Sequence, residues 1–125
     1  MKLMSKTLFR FFIPVIIIFH SKSHSNELLQ LTCKNYENNS KHNFIIYPNY
    51  KVINILPNGY EFDYIIEEES ADHIISYFYQ TKDYLVKKFV LSFNLKENIL
   101  YDEMYEGNDK KNLILKDKKI FQCKK

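Results

Sequence analysis

From residue 26 onward, hydrophobic and polar positions alternate residue by residue, and the alternation stops at intervals at clusters of turn-forming residues. Successive side chains of a strand point to opposite faces, so this pattern predicts an all-β antiparallel meander. Leu29, Leu31 and Cys33 alternate with Gln30, Thr32 and Lys34, which turns the cysteine toward a core. Residues 44–47 and 51–56 are short, apolar and β-branched. Tyr60, Phe62, Tyr64 and Ile66 alternate with Glu61, Asp63, Ile65 and Glu67. Ile75, Tyr77 and Tyr79 share one face, and Leu85, Phe89, Leu91, Phe93 and Leu95 share another that Lys87 interrupts. Ile99, Tyr101 and Tyr105 form a further set with Glu103 among them, and at the end Phe121 and Cys123 face one way while Ile120 and Gln122 face the other.

Turn chemistry separates these runs at Pro48-Asn49, Pro57-Asn58-Gly59, 67–72, 81–83, 96–98, 106–111 and Asp117-Lys118. In Pro57-Asn58-Gly59 proline presets φ at the first turn position and glycine takes the positive φ that follows. The expected architecture is a meander of about eight strands that closes into a barrel or a two-layer sandwich. One segment admits a second pattern: 70–90 also carries an apolar stripe at helical spacing behind a Ser70 cap. Its Ile, Val, Tyr, Phe and Thr content, and Lys82-Asp83 in mid-stripe, favour two strands joined by a hairpin.

The first 25 residues change the compartment. Lys2, Lys6 and Arg10 precede an apolar run at 11–19, and Ser21, Ser23 and Ser25 supply small residues, which is the pattern of a cleaved secretory leader. The run is short for a membrane-spanning helix, so a retained anchor is the weaker alternative. Cleavage after Ser25, or after Ser23, leaves a single domain over 26–125 that is periplasmic or secreted and meets a membrane only through its leader. All four basic residues of 1–25 depart with the leader, which leaves fourteen basic against fifteen acidic residues. Arg10 is the chain's one arginine, so the remaining domain has neither the basic face nor the bidentate donors of a nucleic-acid binder.

Cys33 and Cys123 are the two cysteines, one near each end of the domain, and an even count in an oxidising compartment is read as one disulfide. Closing a loop of about ninety residues stabilises by about 4 to 5 kcal/mol in the chain-entropy account. Free buried thiols, a metal or redox pair, and a lipid-modified Cys33 are the alternatives. The last lacks small residues directly before the cysteine, and no C-x-x-C spacing supports the metal or redox pair.

Catalytic chemistry is sparse. His42 and His73 are the histidines that remain after cleavage, neither with a ligand at metal-binding spacing, and both are expected at the surface. No nucleophile elbow and no glycine-rich phosphate loop is present, so catalytic, cofactor and metal sites are all expected to be absent. The acidic run 67–69 with Asp72 is expected to be a solvated hairpin loop, with a calcium or cationic-partner site as the weaker alternative because EF-hand spacing is absent. Asn38-Asn39-Ser40 matches a glycosylation acceptor that matters only in a eukaryotic secretory pathway. Tyrosine alone carries functional colour: all ten follow the leader. Tyr60, Tyr64, Tyr77, Tyr79 and Tyr101 are the candidate ligand face, since a ring with a hydroxyl handle suits a pocket mouth. Tyrosine also fits half-buried pleated surfaces without any ligand.

The leader, Leu31-Thr32-Cys33, the run Phe89, Leu91, Phe93, Asn94 and Leu95, and the closing Phe121-Gln122-Cys123-Lys124-Lys125 resemble a group of small exported bacterial proteins of unknown function. The resemblance implies paired terminal cysteines and a small lipocalin-like barrel or sandwich, and it carries over no functional residue. Periplasmic inhibitors of c-type lysozyme are similar only in being small, β-rich and disulfide-bonded, which is an analogy of fold. The expected function is an exported envelope binding module for an unknown small ligand or an envelope protein. A structural or interaction protein without a pocket is the alternative, and a hydrolytic enzyme is less favoured.

Overall fold

A computed structural model of the chain describes residues 27–125. The leader read over 1–25 and its cleavage point lie outside the described residues. Eight strands follow in order: β1 (Leu29–Asn35), β2 (Lys41–Tyr47), β3 (Lys51–Ile55), β4 (Glu61–Glu69), β5 (His73–Lys82), β6 (Leu85–Asn94), β7 (Ile99–Gly107) and β8 (Ile114–Lys124). Each pairs antiparallel with the next, and β8 pairs back onto β1, so the meander is a closed barrel rather than a sandwich. The segment 70–90 is a hairpin of β5 and β6, with Tyr77 opposite Val90 and Lys82 opposite Leu85.

The turns explain the closure locally. Asn39, Asn49, Asp83 and Asn98 adopt φ near +60°, at 62°, 62°, 59° and 59°, as the residues that tolerate the left-handed region best after glycine. Gly59 takes φ of 93° in the turn that Pro57 opens. Four expected turns are corrected, two of them only at their start, where Thr81 and Lys82 complete β5 and Glu106 and Gly107 complete β7. Glu67, Glu68 and Glu69 complete β4, with a bulge between Ile66 and Glu68, so the hairpin turn is confined to 70–72. Asp117 and Lys118 lie within β8, opposite Met104 and Glu103, where a shift of register at Met104 and Tyr105 accommodates an extra residue. A turn that proline and glycine do not mark, 36–40, joins β1 to β2, held by Asn35 Oδ1 accepting from Glu37 N at 2.7 Å.

One half of the interior is packed solid. Leu31, Phe44, Ile46, Val52, Leu91 and Phe93 are at most 3% exposed and pack with Leu100, Phe121 and the cystine. Phe44 meets Phe93 edge to face at 5.3 Å between ring centroids, the arrangement that aromatic quadrupoles favour. Cys33 lies opposite Cys123 across the β1 to β8 seam, and their sulfurs are bonded. The seam gains further bonds from Tyr36 N to Ile120 O at 3.0 Å and from Tyr36 Oη to Gln122 Oε1 at 2.6 Å.

Candidate functional site

The other half of the barrel interior is not filled. A cavity of about 310 Å³ lies among inward-facing side chains toward the end that carries the turns at 56–60 and 83–84. Its position follows from strand phase. On β5, Ile74 and Ser76 face the packed half, and the same face continues as Phe78 and Gln80 along the cavity. On β7, Leu100 is buried in the core, and two and four residues on, Asp102 and Met104 line the cavity. His42 on β2, Asn54 on β3 and Tyr64 on β4 complete the deep wall.

Aromatic rings make one side. Phe62 and Phe78 stack with centroids 5.9 Å apart and planes 5° from parallel, and Phe78 stacks on Phe89 at 4.8 Å and 14°. Tyr64 meets Phe78 edge-on at 4.8 Å. Phe62, although it points inward, is 38% exposed, because the cavity opens to solvent beside it. Asp117 and Lys119, also half-exposed, sit at this mouth as an ion pair with Nζ to Oδ2 of 3.4 Å.

The polar groups at depth perturb one another. His42 Nδ1 lies 3.3 Å from Asn54 Oδ1. Burial lowers the His42 pKa, the bond to Asn54 opposes that, and the charge of Lys119 adds to the lowering. Burial pushes the Asp102 carboxyl up to about 6; Lys119 pulls it down, and Asp117 and Glu103 push it further up. Tyr64 is raised by burial and then by the charge of Asp102, against a hydrogen bond with Asn54 that lowers it. The expected surface position of His42 is therefore corrected: it is half-buried and lines the cavity. His73 is exposed at the start of β5, with Nε2 3.4 Å from Ser92 Oγ.

The five candidate tyrosines do not form one surface. Tyr64 is 3% exposed and faces inward, while Tyr60, 69% exposed, lies on the turn beside the cavity without lining it. Tyr77 and Tyr79 lie on the outer face of β5, opposite in phase to Ile74, Ser76 and Phe78, and Tyr101 lies on the outer face of β7. The protein's own ammonium groups cover these outer rings: Lys88 stands 5.2 Å over Tyr77, Lys110 4.4 Å over Tyr79 and Lys118 4.8 Å over Tyr101. Cys33 and Cys123 are the disulfide.

Sequence patterning missed His42, Asn54, Gln80 and Asp102 because alternation assigns polar residues to the solvent face. The signal was their phase. Asp102 stands two residues from Leu100 and Gln80 two from Phe78, on the inward side of each strand. Among the described residues no group of three or more His, Cys, Asp or Glu side chains is placed to hold a metal ion. Comparison of the chain with protein-family models, with curated proteins and with solved structures returned no match.

Proposed function

We propose that the chain is an exported binding module that holds a small ligand inside the open half of the barrel, in the cavity between Phe62, Phe78, Phe89 and Met104. One observation carries this: a barrel filled at one end with close-packed apolar side chains leaves about 310 Å³ unfilled at the other, and lines that space with a few convergent polar groups. Small-molecule sites have this composition, mostly apolar wall with sparse polar groups that fix orientation. The outer tyrosines offer less, since lysines of the same chain already stand over them. Export is supported by the leader pattern and is compatible with the disulfide, which persists in oxidising compartments.

The test is recovery of the exported protein, mass measurement of its N-terminus and a fragment screen read by amide chemical shifts. Asn26 or a near neighbour is expected at the N-terminus. Small apolar fragments are expected to shift the amides of Phe78, Phe89 and Met104. Shifts confined to the outer faces of β5 and β7 would overturn the cavity assignment in favour of an interaction protein.

A second reading, proton-transfer chemistry, rests on His42 and Asp102 lining one cavity, where burial lowers the imidazole and raises the carboxyl so that their pKa values approach each other. It predicts turnover of members of a chromogenic substrate panel that His42→Gln and Asp102→Asn each abolish.

A further inference from the structure

We infer that the cavity takes a small organic monocation, a protonated amine on a flat apolar body, with its ammonium against Asp102 and its body along the Phe62, Phe78 and Phe89 wall. This rests on the cavity being the binding site.

The first ground is the commitment of the charged groups. Asp102 faces the interior from β7, with Leu91 beside it on β6 and Lys119 beside it on β8. Lys119 directs its ammonium to Asp117 instead, at 3.4 Å. The Asp102 carboxyl takes part in no hydrogen bond or ion pair among the described residues, and the residue is only partly exposed to water. A carboxylate in that position is stabilised by a cationic donor more than by any neutral one, because charge-assisted hydrogen bonds are the stronger kind and low local polarity strengthens them.

The second ground is the balance of charge around the ligand space. Asp102 and Asp117 contribute two carboxylates, Lys119 contributes one ammonium, and burial holds the His42 ring toward its neutral form. The lining is net negative, which favours a cation and opposes an anion. A carboxylate ligand would have to detach Lys119 from Asp117 and then lie beside Asp102.

The third ground is shape. Phe62, Phe78 and Phe89 stand on three successive strands as an offset stack of nearly parallel rings, an apolar wall against which a flat group can pack. Aromatic faces attract both apolar rings and cations. The volume of about 310 Å³ is roughly twice the ~150 Å³ of an apolar cavity that holds benzene, so the occupant is about the size of one ring with a short side chain.

The experiment titrates the exported chain at about pH 8, where Asp102 is ionised, with three probes of one shape and different head groups: 2-phenylethylammonium, 2-phenylethanol and phenylacetate. Amide shifts of the lining residues report binding. The amine is expected to bind at least about tenfold tighter than the alcohol, and the acid weakest. Asp102→Asn, close to isosteric, is expected to remove the preference for amine over alcohol. Asp117→Asn, which frees Lys119 to turn onto Asp102, is expected to weaken the amine as well. Both variants are checked for folding by thermal melting. Equal binding of amine and alcohol, or tightest binding of the acid, overturns the cation assignment and leaves the cavity as a binding site. If larger apolar fragments shift the lining amides and none of the three probes does, the cation assignment fails alone. If no fragment reaches the cavity, both fall.

Discussion

Cys33 and Cys123 face each other directly in the register that joins the last strand to the first, so one bond fixes residues 90 apart in sequence. The loop it closes takes in all of the barrel between them. Removing the bond is expected to cost about 4 to 5 kcal/mol, which is much of the net stability of a domain this size. Cys33→Ser and Cys123→Ser should lower the melting temperature by similar amounts, with the double variant no worse. Additive losses would show that the two side chains act separately.

Asp102 gives stability a pH dependence of defined sign. Its carboxyl titrates at about 6 in the folded protein against an ordinary 3.8. The folded state therefore holds a proton that the unfolded chain releases between those values. The stability from that proton is complete below the lower value and is lost as pH rises through the higher one. Asp102→Asn should match the parent at about pH 3 and exceed it by about 1 to 3 kcal/mol at about pH 8, measured by urea midpoints. An unchanged or lowered midpoint at the higher pH would contradict the burial of the charge.

Ser76 is fully buried, opposite Ile66 on β4 and Leu91 on β6, and its Oγ has no hydrogen-bond partner among the described residues. A hydroxyl desolvated without compensation opposes folding. Ser76→Ala is expected to leave stability unchanged or raise it by up to about 1 kcal/mol. A clear loss on thermal melting would mean that the hydroxyl is satisfied.

The aromatic residues should separate by face. Phe78→Ala removes the ring that touches Phe62, Tyr64 and Phe89, and is expected to cost about 3 kcal/mol and to loosen fragment binding. Tyr77→Ser and Tyr79→Ser remove rings that contact each other and Lys88 on the outer surface, and each is expected to cost about 1 kcal/mol or less without altering fragment binding. Chemical denaturation and the fragment titration check both halves.

Much of this architecture was legible in the alternation, because each strand buries one face and the turn residues Asn49, Asp83, Asn98 and Gly59 tolerate positive φ. The cysteine pair was legible for the same reason: Leu31 and Cys33, like Phe121 and Cys123, share an inward face. Failures fell where side-chain polarity ceased to report direction. Glu67, Glu68 and Glu69 extend β4 beyond the core, where both faces meet solvent, and so look like a loop. Asp117 lies at the cavity mouth, where an inward position is wet, and with Lys118 it imitates a turn. Lys87, which interrupts an inward series on β6, stands 3.9 Å from Glu106 across the strand pair, so the interruption is a salt bridge between neighbouring strands. Tyrosine is abundant in the chain, but a ring's abundance carries no information on which side of a sheet it lies.

The paired register between β1 and β8 covers only Thr32 to Asn35, with one more backbone bond at Tyr36, whereas β5 and β6 pair from His73 to Lys82. Hairpins between sequence neighbours can form while the chain is still open; this short junction needs both ends present at once and is expected to assemble last. Until it does, two bare strand margins are available to other copies of the chain. A thiol-reducing environment would prolong that exposed stage and favour self-association, so the covalent tie ties the molecule's solubility to the redox state of its surroundings.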